Sequence, residues 1–379
     1  MPFEFATAGR IRFGVGTRRE LPAAVASFGN RALVVTGSAA NRTAKLVEGV
    51  AAVQIAVAAE PTVATVREAA ARARQEGCDV VVAIGGGSVL DAGKAVAAML
   101  ANPGDPLDYL EIVGRGQSLT QPSVPVIAVP TTAGTGSEVT RNAVLASPAH
   151  RVKASLRSAT MLPRLAILDP ELTLGLPPAI TASTGLDALT QLLEPYVSLR
   201  ANAMTDLFCV EGMRLAARAL PRVWKRPEDL EARTDMAWAS LLGGMALANA
   251  GLGAVHGFAA PLGGMFPAPH GAACAAVLPY AMDVNIRALR QRDAGGEALR
   301  RYAEAARILT GDPHASPEDG VRWLAQLCAT LEIPRLRAYG VDESAVPALV
   351  ERAARSGSMK GNPIVLTPEE LREIVERAI

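Results

Sequence analysis

The chain has 379 residues, half of them hydrophobic, with few aromatics and 34 glycines. That length allows two domains with large cores, and the composition is ordinary for a helix-rich enzyme with glycine-rich turns. Thirty-eight basic side chains against 37 acidic ones leave a net charge of +1, without a Lys/Arg cluster long enough to make a nucleic-acid footprint.

Taken in chain order, the first half alternates strand and helix signals. "IRFGVG" (11–16) reads as a strand and turn, "ALVVTG" (32–37) as a short strand ending in glycine, and "VEGVAAVQIAVAAEP" as a helix end leading into another strand. "TVATVREAAARARQEGC" is an amphipathic helix with Val63, Val66, Ala70 and Ala73 on one face. "DVVVAIGGGS" (79–88) is a continuous apolar strand that must be covered on both faces, "VLDAGKAVAAML" the next helix, "VPVIAVPTT" (124–132) another buried strand, and "LAILDPEL" (165–172) one more. This alternation predicts a mostly parallel α/β sheet. The basic segment "HRVKASLR" (150–157) reads as a solvated loop. After "LPP" (176–178) nearly every segment has helical periodicity, and the last helix has a clear start in Thr367, Pro368 and Glu370. The expected organisation is therefore residues 1–177 as an α/β dinucleotide-binding domain and 178–379 as an all-helical domain.

Cys78, Cys209, Cys274 and Cys328 lie far apart without a CxxC pair, which argues against a disulfide scaffold and a structural zinc site. They read as buried, reduced thiols. The N-terminus lacks the apolar core of a signal peptide, so a cytoplasmic location is expected. The longest apolar stretch, 237–266, contains Asn249, His256, Pro261 and seven glycines, which argues against a lipid-spanning helix.

Three loops follow strands. "VVAIGGGSVLDAGKA" (81–95) puts three glycines between a buried strand and a helix, where a ligand can approach the backbone and free N–H groups favour an anion. Gly86, Gly87, Ser88 and Asp91 are its candidate cofactor-binding residues; the alternative is a tight turn with Ser88 as N-cap and Asp91 as its capping-box partner. In "VPTTAGTGSEVT" (129–140), Thr131 and Thr132 can bond the phosphates or nicotinamide of a nucleotide. In "VVTGSAANR" (34–42), a ribose would be read at Gly37 and Ser38. No acidic residue stands there to repel a 2′-phosphate and Arg42 is near, so the reading leans to NADP(H).

In "GLDALTQLLEPY" (185–196), Asp187 and Gln191 sit four apart on one helix face. His256 and His270 flank a Gly/Pro-containing stretch that can loop back and bring both rings to one point. Asp187, His256 and His270 make a credible donor set for Fe²⁺ or Zn²⁺, with Gln191 adding a carbonyl oxygen, and the same residues are the catalytic candidates: an open position on the cation would polarise an alcohol or carbonyl oxygen. His150 and His314 read as surface residues. Phe258 and Phe266 are candidate walls of an apolar pocket for a small neutral substrate.

The ordered motifs "IRFGVGTRRELP", "EPTVATV", "AIGGGSVLDAGKA", "VPTTAGTGSEVT", "ILDPELTLGLPP", "TGLDALTQLLEPYVS" and "HGFAAPLGGMFPAPHG" resemble the iron-containing, metal-dependent alcohol dehydrogenase family nearly end to end. The resemblance implies a Rossmann-like dinucleotide-binding domain and an all-helical domain (the dehydroquinate synthase-like fold), with the active site in the cleft between them. It implies hydride transfer between NAD(P) and a small alcohol or aldehyde, and a homodimer. It places the pyrophosphate at Gly86, Gly87 and Ser88, the paired threonines at Thr131 and Thr132, and a lysine beside the nucleotide at Lys153. The acidic residue by which the family favours NAD falls at Gly37. The family's one-Asp, three-His ligand set falls on Asp187, His256 and His270, with Gln191 in place of the remaining histidine, and a further family histidine near the nicotinamide is Ala260. Those two departures admit a metal-independent reductase similar to maleylacetate reductase. A dehydroquinate synthase-like lyase is disfavoured, because residues 240–275 hold no Lys or Arg to grip an anionic substrate.

Overall fold

Unalternated apolar runs can be satisfied only by strands covered on both faces, and the first half of the chain builds one such sheet. The computed structural model describes residues 2–38, 43–48, 50, 52–111, 113–150 and 152–379. Its strands are β1 (Ile11–Phe13), β2 (Ala32–Gly37), β3 (Ala52–Val57), β4 (Val80–Gly85), β5 (Val126–Pro130), β6 (Asn142–Ser147), β7 (Val152–Arg157) and β8 (Leu165–Leu168). Six of them form a parallel sheet in the order β1-β8-β5-β4-β2-β3, and β6 pairs with β7 antiparallel. Helices α1 (Leu21–Phe28), α2 (Val63–Gln75), α3 (Gly87–Ala101) and the single turn α4 (Pro106–Tyr109) connect them.

Every residue of β4 is buried. Val80, Val82 and Ile84 join Leu21 and Val25 of α1 on one face, while Val81 joins Val66 and Ala70 of α2 and Val96 of α3 on the other. Helix α3 lies close on the sheet because Gly93 has no side chain: a Cβ there would sit 2.6 Å from the Ala83 Cβ. Residues 152–157 correct an expectation. They form β7, not a solvated loop. Ala154 and Leu156 are buried while Lys153, Ser155 and Arg157 point the other way, a period-2 pattern hidden by the basic side chains.

The rest of the chain is helical: α5 (Pro178–Val197), α6 (Ala203–Lys225), α7 (Leu230–Ala250), α8 (Ala254–Met265), α9 (His270–Arg292), α10 (Glu297–Thr310), α11 (Pro317–Thr330), α12 (Val346–Ala354) and α13 (Pro368–Ala378). Helix α5 is almost wholly buried from Gly185 to Val197 and packs on α6, α7 and α9. The capping box at Thr367 forms as its residues dictate, with Glu370 N–H donating to Thr367 Oγ1 and Thr367 N–H to Glu370 Oε2. Among the described residues no single helix is long and apolar enough to cross a membrane; α7 and α8 meet that measure only as a pair, bent by 98° at Gly251–Gly253.

By its own contacts the chain divides into two compact units. One is Ala6–Thr132 with Gly136–Leu174; the other is Gly175–Ile379 with Met1–Phe5 and Ala133–Thr135. Gly93→Ala drives a methyl into Ala83 in the first unit, so urea unfolding should show a loss of about 1–3 kcal/mol; an unchanged midpoint would mean that α3 does not depend on this approach.

Candidate active site

In the α/β unit, the chain runs from β2 outward to β3 on one side and from β4 to β5 on the other. The order therefore reverses between β2 and β4, the place beyond which ligands collect in open parallel sheets. The loops after β2, β4 and β5 hold Gly37–Ser38, Gly86–Ser88 and Thr131–Thr132. The last two meet: Thr131 N–H donates to the Gly85 carbonyl at 2.9 Å, and a Cβ on Gly86 would touch the Thr132 hydroxyl and methyl at 3.4 Å. Gly86 is the N-cap of α3 and makes no side-chain cap bond. Ser88 is thus not the N-cap, and the Ser88–Asp91 capping box does not form. A 15-residue helix whose first turn is capped by no side chain presents N–H groups and positive dipole to an anion.

Asp91 and Lys153 both have protein partners. The Asp91 carboxylate accepts from Ser137 Oγ and from Val144 N–H at 2.9 Å and pairs with Lys94 Nζ at 3.1 Å. It ties α3 to the threonine loop and to β6, so its oxygens are taken by the protein. Lys153 Nζ donates to Glu60 Oε1 at 2.6 Å. Arg42 lies outside the described residues. Lys94, which the loop motifs did not single out, is wholly buried and also donates to the Ser137 carbonyl and Thr140 Oγ1, each at 2.9 Å. Beside it, burial pushes the Glu138 carboxyl up to about 7, with its own backbone N–H and Lys94 pulling it down.

In the helical unit, α5 carries Asp187 and Gln191 inward, both buried. Gln191 Nε2 donates to Asp187 Oδ2 at 3.0 Å. Asp187 Oδ1 lies 3.3 Å from His256 Nε2 and 3.7 Å from His270 Nε2, and the two rings stand 5.4 Å apart, centre to centre. The ion-pair distance to His256 is short, but its alignment makes no hydrogen bond: Asp187 Oδ1, His256 Nε2 and Gln191 Oε1 are all buried without a hydrogen-bond partner. Each such orphan costs roughly 1–3 kcal/mol, and all three lie on neighbouring residues of one buried cluster that could hold a cation.

Two further residues complete the cluster. Glu194, seven positions after Asp187 on the same helix face, accepts from His256 Nδ1 at 2.7 Å and from Val255 N–H at 2.6 Å. It caps the start of α8 and keeps a proton on His256 Nδ1, so Nε2, which faces Asp187, is the nitrogen that would give up its proton to a cation. Asn362 Oδ1 takes the neighbouring Ala254 N–H at 3.1 Å. Cys274, one turn after His270 on α9, places its sulfur 3.7 Å from His270 Nε2. The ligand atoms of Asp187, His256, His270 and Cys274 lie within 4.8 Å of one another. Gly271 permits this: a Cβ there would come 2.5 Å from the Ser183 carbonyl, so only glycine lets α9 start against α5. Burial works against a charged Asp187, but His270 and His256 outweigh it and lower its pKa. Burial likewise opposes a charged His256, while Cys274, Asp187 and Glu194 raise its pKa well above the ordinary value.

Helical spacing from Asp187 and His270 would have reached both Glu194 and Cys274. Reading the cysteines as plain buried thiols hid the second. Phe258 is wholly buried in the core and is not an open pocket wall. His150 and His314 are exposed, His150 bonded to Ser147 Oγ at 2.7 Å. Ala260 is exposed on α8.

The chain thus joins an α/β unit with nucleotide-type loops to a helical unit with a buried donor cluster. The family profile described as iron-containing alcohol dehydrogenase matches residues 8–170, and that of the Fe-containing alcohol dehydrogenase family, C-terminal, matches 181–379. The 1,3-propanediol dehydrogenase of Citrobacter freundii is 40% identical over 307 residues, covering 80% of this chain and 77% of that one. Among solved structures, a 1,3-propanediol oxidoreductase superposes with a TM-score of 0.91 at 33% identity over all of both chains. The sulfoacetaldehyde reductase from Bifidobacterium kashiwanohense in complex with NAD⁺ does so with 0.87 at 30% identity, over 100% of this chain and 99% of that one. The chain belongs to the iron-containing alcohol dehydrogenase family and is an oxidoreductase acting on CH–OH groups. The family uses NAD(P) and iron or another divalent metal.

Glu138 gives a pH test of the loop anchor. Unfolded, its carboxyl titrates near the ordinary 4.5; folded, near 7. Between those values the folded chain keeps a proton that the unfolded chain has lost, so this group's contribution falls as pH rises through the window. Glu138→Gln should remove that slope, gaining on the order of 2–3 kcal/mol relative to wild type between about pH 5 and about pH 8. Urea unfolding at both pH values reads the difference.

Proposed function

We propose that the chain is an NAD(P)-dependent, divalent-metal-assisted alcohol dehydrogenase or aldehyde reductase that prefers NADP(H) and takes a small neutral substrate. The observation that carries the metal reading is the convergence of the three unpartnered buried atoms on Asp187, His256 and Gln191. Asp187, His256 and His270 would hold the cation, with the Gln191 carbonyl as a further donor. Once bound, the cation polarises the alcohol or carbonyl oxygen and lowers the cost of charge developing on it. Glu194 keeps His256 in the tautomer that can bind. The His270 side chain is 39% exposed and leaves that side of the cluster open to substrate. Ala260 has no ionisable group, so protons leave by water or by another side chain.

Gly86, Gly87 and Ser88 would take the pyrophosphate on the first N–H groups of α3, with Thr131 and Thr132 bonding the nucleotide from the adjacent loop. Gly37 and Ser38 offer no carboxylate against a 2′-phosphate, which supports NADP(H). The lack of Lys and Arg in 240–275, and relatives that act by name on 1,3-propanediol, support a small neutral alcohol.

The reading is tested by following NADPH oxidation with a panel of small aldehydes, before and after chelation and readdition of Fe²⁺ or Zn²⁺. Activity should vanish and return. A protein that binds neither NADPH nor NADH would end the proposal; full turnover after chelation would favour the metal-independent alternative. Gly86→Val should weaken NADPH binding at least roughly tenfold, about 1.4 kcal/mol by titration. Glu194→Gln, which loses the charge holding His256, should lower metal affinity by about 10–100-fold in competition with a chelating dye.

A further inference from the structure

The cluster contains a donor that neither the family's ligand set nor the site proposed above uses. Cys274 is wholly buried, one helical turn from His270, with its sulfur 3.7 Å from His270 Nε2 and within 4.8 Å of the donor atoms of Asp187 and His256. It is not a lone thiol. It lies within 4.8 Å of donor atoms of Asp187 and His256, and each of those residues carries a buried atom without a hydrogen-bond partner, Oδ1 and Nε2. Gln191, which stands where the family resemblance puts a third histidine, turns its amide nitrogen onto Asp187 Oδ2. That bond orients the Asp187 carboxylate, and a neutral amide oxygen is a much weaker ligand than imidazole for a borderline metal.

We propose that Cys274 is a metal ligand of this site. It supplies as thiolate a strong donor beside the weak Gln191 carbonyl, and the resulting Asp/His/His/Cys set selects Zn²⁺ over Fe²⁺. The inference rests on the metal reading given under Proposed function. On binding, the Cys274 S–H bond is exchanged for a sulfur–metal bond and its proton goes to solvent; no oxidation state changes. Thiolate, imidazole and carboxylate together form a mixed soft-to-borderline set that suits zinc, whereas the all-O/N set of Asp and His suits either ion. Gln191 is then a positioning residue for Asp187.

The test uses the full chain, stripped with a chelator and refilled with Co²⁺. Wild type should take up about one cobalt per chain and show an intense near-ultraviolet sulfur-to-cobalt charge-transfer band. Cys274→Ser should lack the band and bind metal at least roughly tenfold more weakly; Gln191→Ala should keep the band. Loading from equal Fe²⁺ and Zn²⁺ under anaerobic conditions should give zinc by a margin that narrows in Cys274→Ser. Cobalt bound to wild type without the band, or a band that survives Cys274→Ser, overturns the assignment while leaving the metal site standing. No cobalt bound to wild type overturns both. X-ray absorption on zinc-loaded wild type needs no variant to fold: a sulfur shell at about 2.3 Å supports Cys274, and a shell of only nitrogen and oxygen overturns it.

Discussion

One carboxylate organises the helical unit. Glu194 divides its two oxygens between the Val255 N–H and the His256 ring. The first bond satisfies a backbone donor at the start of α8, and the second fixes which nitrogen of His256 is free. Helix placement and donor chemistry thus hang on the same side chain, in surroundings where an unpaired charge would be costly. Gly253 belongs to this arrangement: a Cβ there would stand 3.1 Å from Glu194 Oε1 and 3.0 Å from Asn362 Oδ1, so its bareness lets both caps reach the helix.

The α/β unit solves a parallel problem with a lysine. Its nucleotide-type loops are held from below by Lys94, whose three contacts all lie on the threonine loop or on Asp91. A buried ammonium survives only when its desolvation is met by hydrogen bonds and nearby negative charge, and Asp91 provides the latter. The residues with chemical character in this motif therefore split in two: glycines and threonines face the loop surface, and the charged residues hold the loops in place.

Much of this was legible in sequence because it depends on periodicity. The buried strands, the change to helix after residue 178 and the Thr367 cap follow from patterns of one chain segment with itself. So does the pairing of Asp187 with Gln191. What escaped depends on what a residue meets elsewhere. Residues 152–157 looked like a basic loop because Lys153 and Arg157 mask the alternation of Ala154 and Leu156. The partners of Asp91, Ser137 and Val144, lie 46 and 53 positions away, beyond any local motif. Along the chain Cys274 resembles Cys78, Cys209 and Cys328, none of which has a cysteine at CxxC spacing; only the fold sets it apart. Glu194 was within reach of the helical argument that found Gln191 and needed only one more turn.

Gly271 has a consequence for how such a site changes over time. The distance between the donors is set by backbone contact, the start of α9 against the Ser183 carbonyl, and not by any one ligand side chain. The backbone therefore offers slots of fixed spacing on α5, α8 and α9, and a slot can exchange its occupant without the helices moving. A histidine can give way to glutamine on one helix while a cysteine serves from another. In such a framework the choice of ion depends on the side chains in the slots, while the place where an ion could sit depends on the backbone.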